Sequence, residues 1–144
     1  MVIEKQSGKD FQRPCYRELG GRLRPGGVLA FTTFGLRNLH EIRTLTGNGL
    51  DYTPPQQLRR ELEDAGFCIL HLEQEEAILR FPTPVDVLRH LRMTGVTGTE
   101  KQTWSRGRLQ AFCDEYVRRF GSSEGVSLTY QPIYVISSPK TPTL

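Results

Sequence analysis

Arg22-Leu23-Arg24-Pro25-Gly26-Gly27-Val28-Leu29-Ala30-Phe31-Thr32-Thr33-Phe34-Gly35 is the stretch whose reading decides the fold. Val28 to Phe34 is short and mostly apolar. That length and composition suit a strand buried on both faces of a parallel sheet. Pro25 and the Gly26-Gly27 pair stop a preceding helix and turn the chain tightly into the strand. Gly35 closes it. Upstream, Cys15 to Leu23 reads as a short helix with Tyr16, Leu19 and Leu23 on one face, weakened by Gly20 and Gly21. Residues 1–14 show neither helical nor strand period and are expected to form an unstructured leader.

Downstream, Leu36, Leu39, Ile42 and Leu45 recur every three residues and predict a helix, which Thr46-Gly47-Asn48-Gly49 breaks. Thr53-Pro54-Pro55-Gln56 opens the clearest helix: Thr53 and Gln56 form a capping box, and Pro54 suits the first turn. Leu58, Leu62 and Ala65 are its buried stripe, and Gly66 fits the left-handed stop. Phe67 to Phe81 predicts one extended run, kinked in its acidic middle. Thr83-Pro84-Val85-Asp86 caps another helix, with Val87, Leu88 and Leu91 apolar. Ser105 caps a last helix bearing Leu109, Phe112, Tyr116 and Phe120, stopped by Gly121. Val126 to Ser137 predicts the final strand, in which Pro132 demands a bulge or an unpaired N–H position. Residues 139–144 are expected to be a disordered tail. The order is an α/β pattern that begins in its middle, its first strand lacking a parallel partner upstream.

The 144 residues are one domain's worth of chain. No apolar run reaches the roughly 18 residues of a membrane span. Cys15, Cys68 and Cys113 are widely spaced, without a CxxC pair or zinc-ligand spacing, as befits thiols in a reducing cytoplasm. The net charge of +3 is unevenly spread. Glu61 to Glu76 carries six acids and no Lys or Arg, and Arg80 to Arg119 carries eight bases against four acids, 8 − 4 = +4. Such a segment steers an acidic partner. The excess is small and no nucleic-acid motif is present, so a nucleic-acid partner is not expected. Glu73, Glu75 and Glu76 read as a solvated strand rather than a metal or acid-base site.

The Arg22 to Leu29 turn resembles the one that precedes the fifth strand of class I methyltransferases. A more specific resemblance follows. Ala30-Phe31-Thr32-Thr33-Phe34-Gly35, Asn38-Leu39-His40-Glu41-Ile42-Arg43, Leu79 to Thr99 with Asp86-Val87-Leu88-Arg89-His90-Leu91 and Thr94-Gly95-Val96-Thr97-Gly98, and Leu128-Thr129-Tyr130 are together similar to the malonyl-[acyl-carrier protein] O-methyltransferases of biotin synthesis. The resemblance implies the C-terminal half of a Rossmann-like class I methyltransferase sheet over residues 15–138, with an inserted helical lid at 82–121. Family members begin with a strand and a Gly-rich turn that admits the cofactor. Here no Gly-rich turn follows a strand: Gly20-Gly21 and Gly26-Gly27 flank a helix end, and Gly95 and Gly98 lie in a loop after a helix. The expectation is a chain that lacks the half holding S-adenosylmethionine, does not bind it alone, and is marginal in stability or self-associating.

The implied reaction is methyl transfer from S-adenosylmethionine to the free carboxylate of a malonyl thioester on acyl-carrier protein. It needs no general base, so no catalytic residue and no metal are assigned. His40, Arg80, His90, Thr94, Thr97, Trp104 and Tyr130 are the candidates for contact with the malonyl group or its thioester arm. Arg89, Arg92, Lys101 and Arg106 are the candidates for the acidic carrier protein, as charge complementarity would require. His40 and Glu41 are adjacent, so on a helix they point about 100° apart and are not read as a dyad. Two other readings differ in class: a non-enzymatic module that docks the carrier without cofactor, and a half-enzyme completed by a separate chain carrying the N-terminal half.

Overall fold

A computed structural model describes residues 2–4, 16–47, 52–95 and 104–140. The α/β class is as expected, with two sheets. In the first, β2 (Leu29–Phe34) pairs in parallel with β1 (Val2–Glu4) and antiparallel with β7 (Pro132–Pro139), and β3 (Phe67–Gln74) lies beyond β7. The strand read as part of a parallel sheet is thus parallel on its β1 side alone. Val2–Glu4 falls in the stretch expected to be an unstructured leader, and pairs with Ala30, Phe31 and Thr32. A strand of three residues has no periodicity of its own for a sequence to reveal.

α1 (Tyr16–Arg22) and α3 (Pro55–Asp64) supply the cover of one face of this sheet. Leu29, Leu58, Leu62, Phe67, Ile133 and Val135 form the core there, with Tyr16, Leu19 and Leu23 packed against it. Gly20 admits the Phe67 ring, which a β-carbon at that position would meet at 3.3 Å. Tyr134 and Ile136 alternate with the buried Ile133 and Val135 and are exposed on the opposite face.

β4 (Ala77–Phe81), β6 (Gly125–Tyr130) and β5 (Gly121–Ser122) form a second, antiparallel sheet in the order β4-β6-β5. The region expected as a lid holds α4 (Pro84–Met93) and α5 (Arg106–Phe120). Together with α2 (His40–Thr46), these helices build a second core from Leu39, Ile42, Val87, Leu91, Phe112, Tyr116, Val126 and Leu128.

Four sequence expectations need correction. The run Phe67 to Phe81 is two strands in different sheets, divided at Glu75 and Glu76. The run Val126 to Ser137 is likewise two, β6 and β7, divided at Gln131. Gln131 spends its backbone on the loop after β2: its carbonyl accepts from the Gly35 N–H at 2.8 Å and its N–H donates to Asn38 Oδ1 at 2.8 Å. Pro132 then starts β7, where a missing N–H costs little. The helix expected from Leu36 starts only at His40, because Leu39 is held left-handed (φ 53°) with its N–H donated to the Thr129 carbonyl at 2.7 Å. The Thr53–Gln56 capping box does not form: extended Pro54 (φ −59°, ψ 149°) is the N-cap and no side chain caps α3. Gly66 does take the left-handed stop (φ 91°), and the Thr83 and Ser105 caps form, accepting from the N–H groups of Asp86 and Arg108 at 3.3 and 3.2 Å.

Glu41 joins the two sheets. It lies on α2, which follows β2, and is 0% exposed. Its carboxylate accepts from the Thr129 N–H at 3.0 Å, the Thr129 hydroxyl at 2.9 Å and the Ser127 hydroxyl at 3.1 Å, all on β6. Tyr116 of α5 donates to the Ser127 carbonyl at 2.6 Å. Burial, and then the nearby Glu41 charge, push the Tyr116 phenol well above its usual range, so it stays a donor.

Two stability predictions follow from these cores. Glu41→Gln keeps an acceptor of the same shape and is expected to lower unfolding free energy by about 1–3 kcal/mol, whereas Glu41→Ala strips three donors at once and should cost at least about 3 kcal/mol. Leu62→Ala, at a side chain 0% exposed, should cost about 2–5 kcal/mol. Met93→Ala, at 81% exposure, should stay within about 0.5 kcal/mol. Urea titration followed by circular dichroism measures all four.

Candidate functional site

Ligands of open α/β sheets bind beyond the carboxyl ends of the strands. At that end of β2, Phe34 and Gly35 meet Tyr130, the last residue of β6. The Phe34 and Tyr130 ring centroids are 6.5 Å apart. His90 of α4 stands on the other side, its Nε2 3.0 Å from the Tyr130 hydroxyl and its ring 5.0 Å from that of Phe81. Thr94, the C-cap of α4, lies on the same side, its hydroxyl oxygen 3.0 Å from the His90 carbonyl. Burial raises the Tyr130 phenol, the Thr94 hydrogen bond opposes the rise, and nearby Tyr52 adds to it. Tyr52 sits at the mouth of α3 and accepts from Asn38 Nδ2 at 3.2 Å. Burial raises its phenol too, against the Asn38 bond and the Arg43 charge. Both phenols therefore keep their protons at neutral pH.

Of the seven substrate candidates, the structure brings three together: His90, Thr94 and Tyr130. Thr97 lies outside the described residues. Arg80 alternates along β4 with Phe81 and is turned outward, with Nε 3.7 Å from Glu124 Oε2 on the β5–β6 turn. Trp104 packs on Phe112 at 5.0 Å, beside the second core. His40 is engaged with its neighbour: its Nε2 is 3.4 Å from Glu41 Oε1, and its ring meets Phe120 edge-on at 5.7 Å. The expectation that these two side chains diverge fails because His40 is the first residue of α2, directly after left-handed Leu39. Tyr52 and Phe34 were not singled out by sequence. The available signal was the isolated Tyr52 between a glycine-rich helix breaker and the Pro54-Pro55 pair.

The basic residues divide by partner. Arg89 pairs with Asp86 at 3.2 Å. Arg118 and Arg119 both clamp Glu115, and their hydrogen bonds hold its carboxyl down at about 2. Arg92, Arg106 and Arg108 are exposed, and among the described residues none of the three is paired with a carboxylate. Lys101 lies outside the described residues. The acidic run is exposed, with His71 3.1 Å from Glu73, Arg37 3.2 Å from Glu76 and the Tyr134 hydroxyl 3.4 Å from Glu75. Among the described residues no cluster of His, Cys, Asp and Glu is placed to hold a metal ion, and no helix is long and apolar enough to cross a membrane.

Gly35 is where a strand-to-helix turn could let backbone approach a ligand, but its space is taken. A β-carbon there would meet Gln131 Oε1 at 2.5 Å and Gln74 Oε1 at 2.8 Å. The Gln131 amide oxygen also accepts from the Arg37 N–H at 2.9 Å. Glycine here serves two glutamine side chains.

No family model matches the chain. Curated proteins do. Malonyl-[acyl-carrier protein] O-methyltransferase of Bacteroides helcogenes is 56% identical over 116 residues, covering 79% of this chain and 42% of its own length. The Bacteroides thetaiotaomicron protein of the same name is 44% identical over 141 residues, covering 91% of this chain and 54% of its own. The chain thus spans about half the length of these relatives. Among solved structures, a provisionally assigned methyltransferase from Bacillus halodurans superposes with a TM-score of 0.55 at 16% identity, covering 88% of this chain and 57% of that one, and shares its fold. Most of this chain is homologous to a part of the malonyl-[acyl-carrier protein] O-methyltransferases.

Proposed function

We propose that this chain supplies the acceptor side of S-adenosylmethionine-dependent O-methylation of malonyl-acyl-carrier protein in biotin synthesis. The Tyr130–His90 pair at the end of β2, 3.0 Å apart, carries the reading, in a chain whose relatives bear that name. A malonyl carboxylate is already ionised at neutral pH, with a reference pKa of about 4. No general base is required, and no catalytic residue is assigned. The work left to the protein is to hold the carboxylate in line and exclude water. In this reading Tyr130, His90 and Thr94 face the carboxylate, Thr97 is a further candidate for that contact, and α4 and α5 form the lid. Arg92 and Arg106, with Arg89, present the surface for the acidic carrier, for which Lys101 is a further candidate. The setting is cytoplasmic, which suits unpaired Cys68 and Cys113.

S-adenosylmethionine supplies the methyl group in that family. The described residues do not fit it: the turn after β2 is closed by the Gln131 and Gln74 amides. We infer that the donor is held by residues other than those described, on this chain or a second one. The same closed turn favours a second reading, a module that binds the carrier and performs no chemistry.

Separate calorimetric titrations test the proposal. Malonyl-acyl-carrier protein is expected to bind, and S-adenosylmethionine is expected not to bind tighter than about 100 μM (roughly −5.5 kcal/mol). Tighter donor binding would show a complete cofactor site in this chain. The paired reversal Arg92→Glu, Arg106→Glu should weaken carrier binding about tenfold, and the loss should shrink as salt is raised. Donor-dependent methylation of the carrier, with or without a second chain, separates enzyme from docking module.

A further inference from the structure

The orientation of the Asn38 amide is fixed from one side. Its Oδ1 accepts from the Gln131 N–H at 2.8 Å, so Nδ2 is the atom that faces the Tyr52 hydroxyl at 3.2 Å. An amide nitrogen only donates. The Tyr52 oxygen is therefore the acceptor in that bond, and its own proton is left over. Among the described residues no acceptor takes that proton. Arg43 lies over the face of the Tyr52 ring, 5.1 Å from guanidinium carbon to centroid. Its guanidinium donates to the carbonyls of Leu36 and Asn38. The cation thus pins the ring and is itself held by the loop. Gln131 is the chain neighbour of Tyr130, so the one Asn38 amide sets Tyr52 against the strand end that bears the Tyr130–His90 pair.

From this geometry we infer that Tyr52 is a further substrate-binding residue, whose O–H donates to the carboxylate of an acyl thioester seated against Tyr130. The inference rests on the acceptor-side reading above and names a donor for it. Its chemistry suits an acceptor that loses its charge. Esterification turns an anion into a neutral ester, so a cation in direct contact would grip the starting carboxylate far more firmly than anything that follows it. An interaction accelerates a step only when it is stronger in the transition state than in the ground state. A neutral phenol donates one hydrogen bond to the carboxylate without the full Coulombic attraction between opposite charges that a cation would add. It orients one carboxylate oxygen without trapping the anion, and leaves the lone pairs of the other oxygen exposed.

The test uses malonyl-pantetheine, and acetyl-pantetheine as the same thioester without the carboxylate. Wild-type chain is expected to bind the malonyl compound at least tenfold more tightly. Tyr52→Phe keeps the ring and its stacking on Arg43, and should weaken malonyl binding about tenfold (about 1.4 kcal/mol) while leaving acetyl binding unchanged. Should wild type bind both thioesters equally, or neither, the acceptor-side reading itself falls. Should wild type discriminate and Tyr52→Phe discriminate as well, only the role of Tyr52 falls. An observation on unaltered protein guards against misfolding of the variant. With tyrosines carbon-13 labelled at Cζ, the Tyr52 signal should move on adding malonyl-pantetheine and stay in place with acetyl-pantetheine. A Tyr52 signal indifferent to both, in a chain that binds the malonyl compound, would overturn the assignment.

Discussion

A single buried carboxylate decides how the two sheets meet. Among the described residues, the partners of Glu41 are two hydroxyls, one backbone N–H and the His40 ring, with no lysine or arginine against it. Bonds to an ionised acceptor are about twice as strong as neutral ones, and removing such a group leaves its donors unsatisfied in a dry interior. Two of those donors belong to Thr129, the residue before Tyr130. The position of Tyr130 over the end of β2 therefore depends on Glu41, as do the packing of α2 against β6 and the alignment of Tyr116, whose hydroxyl takes the Ser127 carbonyl.

Much of this was legible from local pattern. The Leu58–Leu62 stripe, the caps at Thr83 and Ser105, the stop at Gly66 and the strand before Gly35 all rest on short-range chemistry. The division of two long extended runs between separate sheets was not legible. Whether Val126 to Ser137 is one strand or two depends on Gln131, which bonds to residues 35, 37 and 38, far away in sequence. The same holds for the site. His90, Thr94 and Tyr130 were candidates from the family resemblance, and the structure sets His90 and Tyr130 within hydrogen-bond reach of one another. His40 looked like a pocket residue because it follows a strand end, yet it is taken up by Glu41 and Phe120. Tyr52 carried no pattern, and its significance arises only through Asn38.

Charge is distributed in a way that suits the proposed chemistry. Among the described residues near Tyr130 are phenols, a threonine and an imidazole, and the Arg43 cation beside Tyr52 is occupied with loop carbonyls. On the surface of α4 and α5, Arg89, Arg118 and Arg119 are neutralised by neighbours on their own helix, while among the described residues Arg92, Arg106 and Arg108 are not paired with a carboxylate. Under the proposed function, fixed positive charge would draw in an acidic protein from a distance and would be kept from direct contact where it would bind a carboxylate too well.

β7 lies in the middle of the first sheet and yet comes last among the described strands. Leu29 and Ser137, hydrogen-bonded neighbours in the finished protein, are about a hundred residues apart along the chain. During synthesis β2 and β3 are made before β7 and are not paired with each other; β7 between them joins them in one sheet. Pairings of that separation form late, after the loop-closure entropy has been met. Until β7 is made, the chain therefore carries two strands each with an unfilled edge, a state in which proteins are prone to aggregate.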